Sequence, residues 1–203
     1  MNHIIGIIGT NSEQSTNRTL LTFMARHFAK DATIEVVEIK DIPMFNKPSN
    51  MEVPKEALAL AAKIEAADGV IISTPEYDHA VTASLMNALS WLSYGIYPFV
   101  DKPVMITGAS YGTLGSSRAQ AHLRQILNAP ELKARIMPSS EFLLGHSLQA
   151  FDEEGNLKDQ NQVAGLEGLF RDFTTFMAIM KQLNHAHEAN KKAAENFSWE
   201  DNK

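Results

Sequence analysis

The chain of 203 residues contains no cysteine, which excludes disulfides, thiolate catalysis and Cys-ligated metal or iron–sulfur centres. That absence fits a reducing cytosol, and a cytoplasmic location is the expectation. Basic residues are outnumbered 18 to 24, giving a formal net charge of −6. There is no basic stripe, so nucleic acid is not an expected partner. Long hydrophobic runs are also missing. The apolar stretch in MNHIIGIIGTNS is far too short to cross a bilayer and lacks the basic flank and cleavage site of a secretion signal. No membrane partner is expected. Metal-ligand spacings are absent too: His185 and His187 stand two apart and diverge on a helix, so they read as solvated residues and no metal is expected.

What remains is an ordinary globular composition, 44% hydrophobic and 21% charged, at a length that suits one compact domain. Short β-branched runs alternate with segments of helical period. Residues 3–9 (HIIGIIG), 33–39, 68–74, 102–108 and 136–144 read as buried strands, the last entered through Pro138. Residues 15–30, 53–66, 82–94, 116–127 and 162–183 read as the intervening helices. Pro54 is placed for a first helical turn. Residues 145–160 read as a polar excursion with a turn at Glu154-Gly155-Asn156. Residues 1–183 therefore read as a single domain. A polar C-terminal extension or tail follows, expected to fray, in which Phe197 and Trp199 have no evident role. Five strands, each followed by a helix, imply a doubly wound parallel sheet with helices on both faces. Ligands of such sheets bind outside the carboxyl ends of the strands.

Three loops leave those ends. The first, Gly9 to Arg18, runs from a buried strand into a helix, so its free amides and the helix dipole converge on one spot. Thr10, Ser12, Ser15, Thr16 and Asn17 add donors there, which is the chemistry that a phosphate monoester needs. The loop is neither a Walker loop nor G-x-G-x-x-G; a plain helix cap is the competing reading. The second loop, Thr74-Pro75-Glu76-Tyr77-Asp78-His79, offers amides and an aromatic ring to the edge of a planar heterocycle, or is simply a turn that starts a helix. The third, Gly108 to Ser116, has three glycines that permit close backbone approach and positive φ. Gly108 to Gly112 also spells G-x-S-x-G. A hydrolase reading makes Ser110 the nucleophile, with Asp152 or Glu153 and then His185 or His187 as partners. Thr113-Leu114-Gly115 intervene before the helix, however, unlike a nucleophile elbow.

Together the loops resemble the NAD(P)H-dependent FMN reductase family, flavodoxin-like proteins that include quinone, azo-dye and chromate reductases. That family's first loop, G-S-L-R-x-x-S-x-N-R, is matched by Gly9, Ser15, Asn17 and Arg18. Its T-P-E-Y-N is matched by Thr74 to Asp78, and its N-A-x-x-W-L by Asn87 to Leu92. K-P-V is matched by Lys102 to Val104, and G-A-S-x-G-x-x-G by Gly108 to Gly115. A-Q-x-x-L-R-Q-I-L follows at residues 119–127. E-F-x-L-G and F-D-E-x-G-N-L have counterparts at residues 141–145 and 151–157. The likeness spans nearly all of residues 3–183.

The resemblance implies a five-stranded parallel sheet of order 2-1-3-4-5 and FMN as cofactor. Thr10, Ser12, Ser15, Thr16 and Asn17 would hold its phosphate. Pro75, Glu76, Tyr77, Asp78, His79, Ser110 and Gly112 would meet the ring. Ser12 replaces the family's arginine, removing a guanidinium from the phosphate site. Thr10 replaces a serine and Asp78 an asparagine.

The implied reaction is hydride transfer from NADPH or NADH to FMN, then reduction of a quinone, azo compound, free flavin or similar small-molecule acceptor. No side chain is expected to act as a general acid or base. An FMN carrier without NAD(P)H activity and a protein that has lost flavin are the other readings. A homodimer or homotetramer is expected through the helices after strands three and four. Leu85, Leu89, Leu92 and Trp91 give the first of these more apolar surface than one sheet face needs. An ionised Asp78 near the ring is expected to lower the flavin potential.

Overall fold

The computed structural model describes residues 1–138, 141–183 and 185–196. Strands β1 (Asn2–Ile8), β2 (Ala32–Val37), β3 (Gly69–Ser73), β4 (Pro103–Ala109), β5 (Arg135–Ile136) and β6 (Phe142–Leu144) alternate with helices for most of the chain. The helices are α1 (Thr16–His27), α2 (Lys55–Ala66), α3 (Ala83–Trp91), α4 (Ser117–Leu127), α5 (Gln160–Met180) and α6 (His187–Glu195). The sheet order is β2-β1-β3-β4-β5, and every pairing is parallel. This is the flavodoxin-like arrangement.

The run expected as one fifth strand is two segments. β5 pairs with Pro103 and Val104, and β6 pairs further along β4 with Thr107 to Ala109. Pro138 lies between them, and a proline has no N–H to give to a ladder.

Alternation along the strands fills both faces. Ile5, Ile7, Val70, Ile72, Val104 and Ile106 pack on the side that includes α2, α3 and α4. Ile4, Ile8, Ile71 and Met105 pack on the side that includes α1 and α5. Burial on both faces is what a parallel sheet between two helix layers requires. On α3 and its C-cap, Leu85, Leu89, Trp91 and Leu92 are all at most 3% exposed. They complete the chain's own core, which overturns the expectation that they supply a subunit interface.

Asn87 and Trp91 instead secure the connection after β2. Asn87 Oδ1 accepts from Phe45 N at 2.7 Å, its Nδ2 donates to Pro43 O, and Trp91 Nε1 donates to Pro43 O at 2.8 Å. The tail expected to fray carries α6, held at the amino end of β4 by Asp101. That carboxylate accepts from His187 Nδ1 at 3.1 Å and from Asn190 Nδ2 at 2.9 Å. Phe197 and Trp199 lie outside the described residues.

Candidate functional site

A cavity of about 490 Å³ opens at the carboxyl ends of β1, β3 and β4, within the range of ligand pockets. All three loops line it. The site residues expected from sequence that border it are Thr10, Ser12, Ser15, Thr16, Asn17, Pro75, Glu76, Tyr77, His79, Ser110 and Gly112; Asp78 does not.

The first loop is built around the start of α1. Ser15 caps the helix, its hydroxyl accepting from Arg18 N at 3.2 Å. The amides of Thr16 and Asn17, in the first turn, have no intrahelical acceptor and are free for an anion. Arg18 holds the loop from behind: it forks onto Glu38, with Nε–Oε1 at 2.6 Å, and donates to Ser12 O and Glu13 O. The Asn17 side chain makes three hydrogen bonds within the protein. Its Oδ1 accepts from Ala109 N and Ser73 Oγ, and its Nδ2 donates to Ala109 O, each at 2.9 Å. Asn17 therefore welds the ends of β3 and β4 to α1.

Thr16 Oγ1 meets the fully buried Ser147 Oγ at 2.8 Å. The segment after β6 is fixed in turn by Ser147 N to Ser110 O and His146 N to Gly112 O, both 3.0 Å. Sequence reasoning missed this supporting wall, which lies at the start of the polar excursion.

The second loop is a hairpin turn closed by paired bonds between Tyr77 and Ala80. Asp78 and His79 occupy its two central positions with φ of 50° and 63°. Asp tolerates that left-handed conformation better than most residues, so the turn geometry accounts for Asp78. Its side chain is exposed to solvent. Glu76 works differently. Its carboxylate accepts from Arg118 N at 2.9 Å and Ala119 N at 3.3 Å, capping α4 in place of the left-handed Ser116, and pairs with Arg118 Nη1 at 3.3 Å. Tyr77 OH reaches Thr10 Oγ1 at 3.3 Å, and Tyr111 OH donates to Gln14 O at 3.3 Å. The three loops are thus tied to one another around the cavity.

The third loop's glycines have separate reasons. A Cβ at Gly108 would strike Ser116 Oγ, and Gly115 has φ of +58° with Leu143 backbone 2.5 Å from where a Cβ would stand. Gly112 borders the cavity, and nothing lies within 4 Å of its would-be Cβ. Only Gly112 leaves open room where a ligand could approach.

Ser110 Oγ donates to Gly112 O at 3.3 Å. Asp152 is spent on the Asn156 turn, and His187 sits on Asp101 before β4, at the opposite end of that strand from Ser110. No hydrolase triad forms around Ser110 among the described residues, so that reading is overturned. No group of three or more His, Asp or Glu residues able to hold a metal occurs among them either.

The family profile described as NADPH-dependent FMN reductase matches residues 2–149, and the chain belongs to that family. It is an oxidoreductase of the FMN and NAD(P)H class. A relative from Vibrio ruber, NADH:(hydroxy)cinnamate reductase subunit CrdA, is 52% identical over 200 residues, covering 98% of each chain. NADH-dependent flavin reductase subunit 2 from Lactobacillus johnsonii is 39% identical over 179 residues, covering 86% of this chain and 96% of its own. Among solved structures, the NAD(P)H:(acceptor) oxidoreductase FerB from Paracoccus denitrificans superposes with a TM-score of 0.77, at 24% identity over 89% of this chain and 99% of that one. At that identity it speaks for the fold alone.

The cavity suits FMN by its own chemistry. It has free amides and hydroxyls at a helix N-terminus for a dianion, and Pro75 to His79 on one wall. The open approach over Gly112 lies on the other wall.

Proposed function

We propose that this chain is the NADH-oxidising subunit of a flavin-dependent reductase whose final acceptor is reached through a second polypeptide. The observation that carries the flavin part is the free first turn of α1 facing a cavity walled by the second and third loops. Thr10, Ser12 and Ser15 hydroxyls and the Thr16 and Asn17 amides would seat the phosphate. Ser147 would fix the direction of Thr16, and the backbone from Pro75 to His79 and at Ser110 and Gly112 would flank the ring. Bound FMN would supply hydride acceptance from the nicotinamide and onward delivery of electrons.

Support for NADH and for a partner comes from relatives. The two relatives described above, which cover 86% or more of this chain, are named as NADH-dependent and as subunits. A (hydroxy)cinnamate-like or flavin acceptor fits those names. Tyr77 and Tyr111 stand about half exposed beside the cavity, which favours a second reading in which a quinone, azo compound or free flavin is reduced directly.

A donor that diffuses as a reduced dinucleotide fits a cytoplasmic location; no described helix is long and apolar enough to cross a membrane. Self-association as a homodimer or homotetramer would use other residues than those expected. Met86 on α3, with Tyr111 and Leu114 after β4, is exposed.

The test is anaerobic titration of the FMN-loaded protein with NADH and NADPH. Stoichiometric bleaching of the flavin band by NADH is expected. Absence of bleaching with either nucleotide overturns the reading and leaves a carrier. Turnover with a quinone at the rate seen with a partner subunit would favour the direct reading.

A further inference from the structure

Arg118 is the only lysine or arginine bordering the cavity among the described residues. It stands in the first turn of α4, its side chain 48% exposed. One guanidinium nitrogen, Nη1, pairs with Glu76 at 3.3 Å. Nε and Nη2 have no partner among the described residues, so a forked donor remains open. Glu76 does not depend on Arg118 for its placement, since two α4 amides already hold it. The cation borders the cavity and is only partly used.

Its location separates it from the phosphate seat. The anion donors of the first loop cluster at the start of α1, whereas Arg118 is tied to the second loop. A half-exposed position suits a ligand that arrives after the cofactor. Resting on the reading of the cavity as an FMN site with a dinucleotide donor, we propose that Arg118 binds the pyrophosphate of that donor. A dinucleotide brings two negative charges that the first loop, already filled by the FMN phosphate, does not serve. Arginine is the side chain best matched to such oxygens. Glu76 is the positioning residue that aims it.

The test compares wild type, Arg118→Met and Arg118→Lys, each loaded with FMN, using NADH and the uncharged donor 1-benzyl-1,4-dihydronicotinamide. Hydrogen bonds to charged groups are the strong ones, and losing such a contact should lower the ratio of kcat/KM for NADH to that for the benzyl donor about tenfold or more. The loss should lie mainly in KM for NADH, and Arg118→Lys should recover part of it. Calorimetric titration with ADP-ribose should show the same weakening without any turnover. A purely structural role would lower FMN affinity and both donors alike. That result, or an ADP-ribose affinity equal in wild type and Arg118→Met, overturns the proposal. A wild type that fails to oxidise NADH contradicts the proposed function instead, while the ADP-ribose comparison still decides the role of Arg118.

Discussion

Cavities of similar size lie at the two ends of the sheet, about 490 Å³ at the carboxyl ends and about 440 Å³ at the amino ends. Their polar groups are used in opposite ways. At the amino end nearly every charge has a partner: Asp68 pairs with Lys181 at 2.7 Å, Asp101 with Arg135 at 2.9 Å, and Lys191 with Glu65 at 3.6 Å. Lys102 donates to the Glu65 and Ala67 carbonyls at the end of α2, and burial pushes its ammonium below the ordinary value. At the carboxyl end most supporting side chains are occupied too, but among the described residues the α1 amides, the Gly112 approach and two donor nitrogens of Arg118 are left open. Volume and charge density do not mark a binding site; donors that the fold leaves unused do.

The largest expected effect is at the residue that supports the open end. Asn17→Ala removes three hydrogen bonds from a residue only 2% exposed and leaves Ala109 and Ser73 groups unpaired. A loss of about 2–4 kcal/mol is expected from denaturant melts, with flavin binding failing as a consequence of misplaced loops.

The amino end should respond in stability alone. Asp101→Ala frees Arg135, His187 and Asn190 together; because the network is partly exposed, a cost of about 1–2 kcal/mol is expected. FMN affinity should be unchanged. Burial raises the Asp101 carboxyl, but hydrogen bonds from Asn190, His187 and Arg135 outweigh it and hold the group below its ordinary value. The stabilisation is therefore complete above the unfolded value near 4 and is lost as pH falls through the lower folded value. Protection factors of the α6 amides, which remove the intrinsic pH dependence of exchange, should fall only in that acid window, and a fall near neutrality would break the comparison.

Gly112→Ala sharpens it in the other direction. With nothing within 4 Å of the new methyl and no positive φ, melting should stay where it is while FMN binding weakens several-fold. Equal FMN affinity would mean that the ligand does not approach there. The smallest effect belongs to Asp78→Asn. Because Asp78 is exposed and borders no part of the cavity, spectroelectrochemistry should find the flavin potential unchanged within error, against the shift expected from sequence. A clear rise would restore the carboxylate to the ring.

What could be read in the sequence was whatever local pattern carries. The strand runs, the helix start at Ser15 and the three loops are written in consecutive residues, and the loops meet as expected. What could not be read depends on partners far along the chain. Asn17 has the look of a ligand donor, and only the positions of Ser73 and Ala109 show that its side chain ties the strand ends to α1. The apolar face of α3 was legible as apolar, but not which layer covers it. Asn87 and Trp91 bond to carbonyls of residues 42–43, which carry no side-chain signal. Arg118 was passed over because one arginine in a helix of ordinary period reads as surface. Ser147 hid in a segment that looked like a polar excursion.

The proposed phosphate seat at α1 is tested most directly by titrating the flavin-free protein with FMN and with riboflavin, following flavin fluorescence. The two ligands share the ring and differ in the phosphate. Several charge-assisted bonds to amides and hydroxyls should make FMN the tighter ligand by about a hundredfold or more, and Ser15→Ala should narrow that gap. Equal affinities for FMN and riboflavin would contradict the seat, and with it the reason for placing the cofactor at the carboxyl end of the sheet.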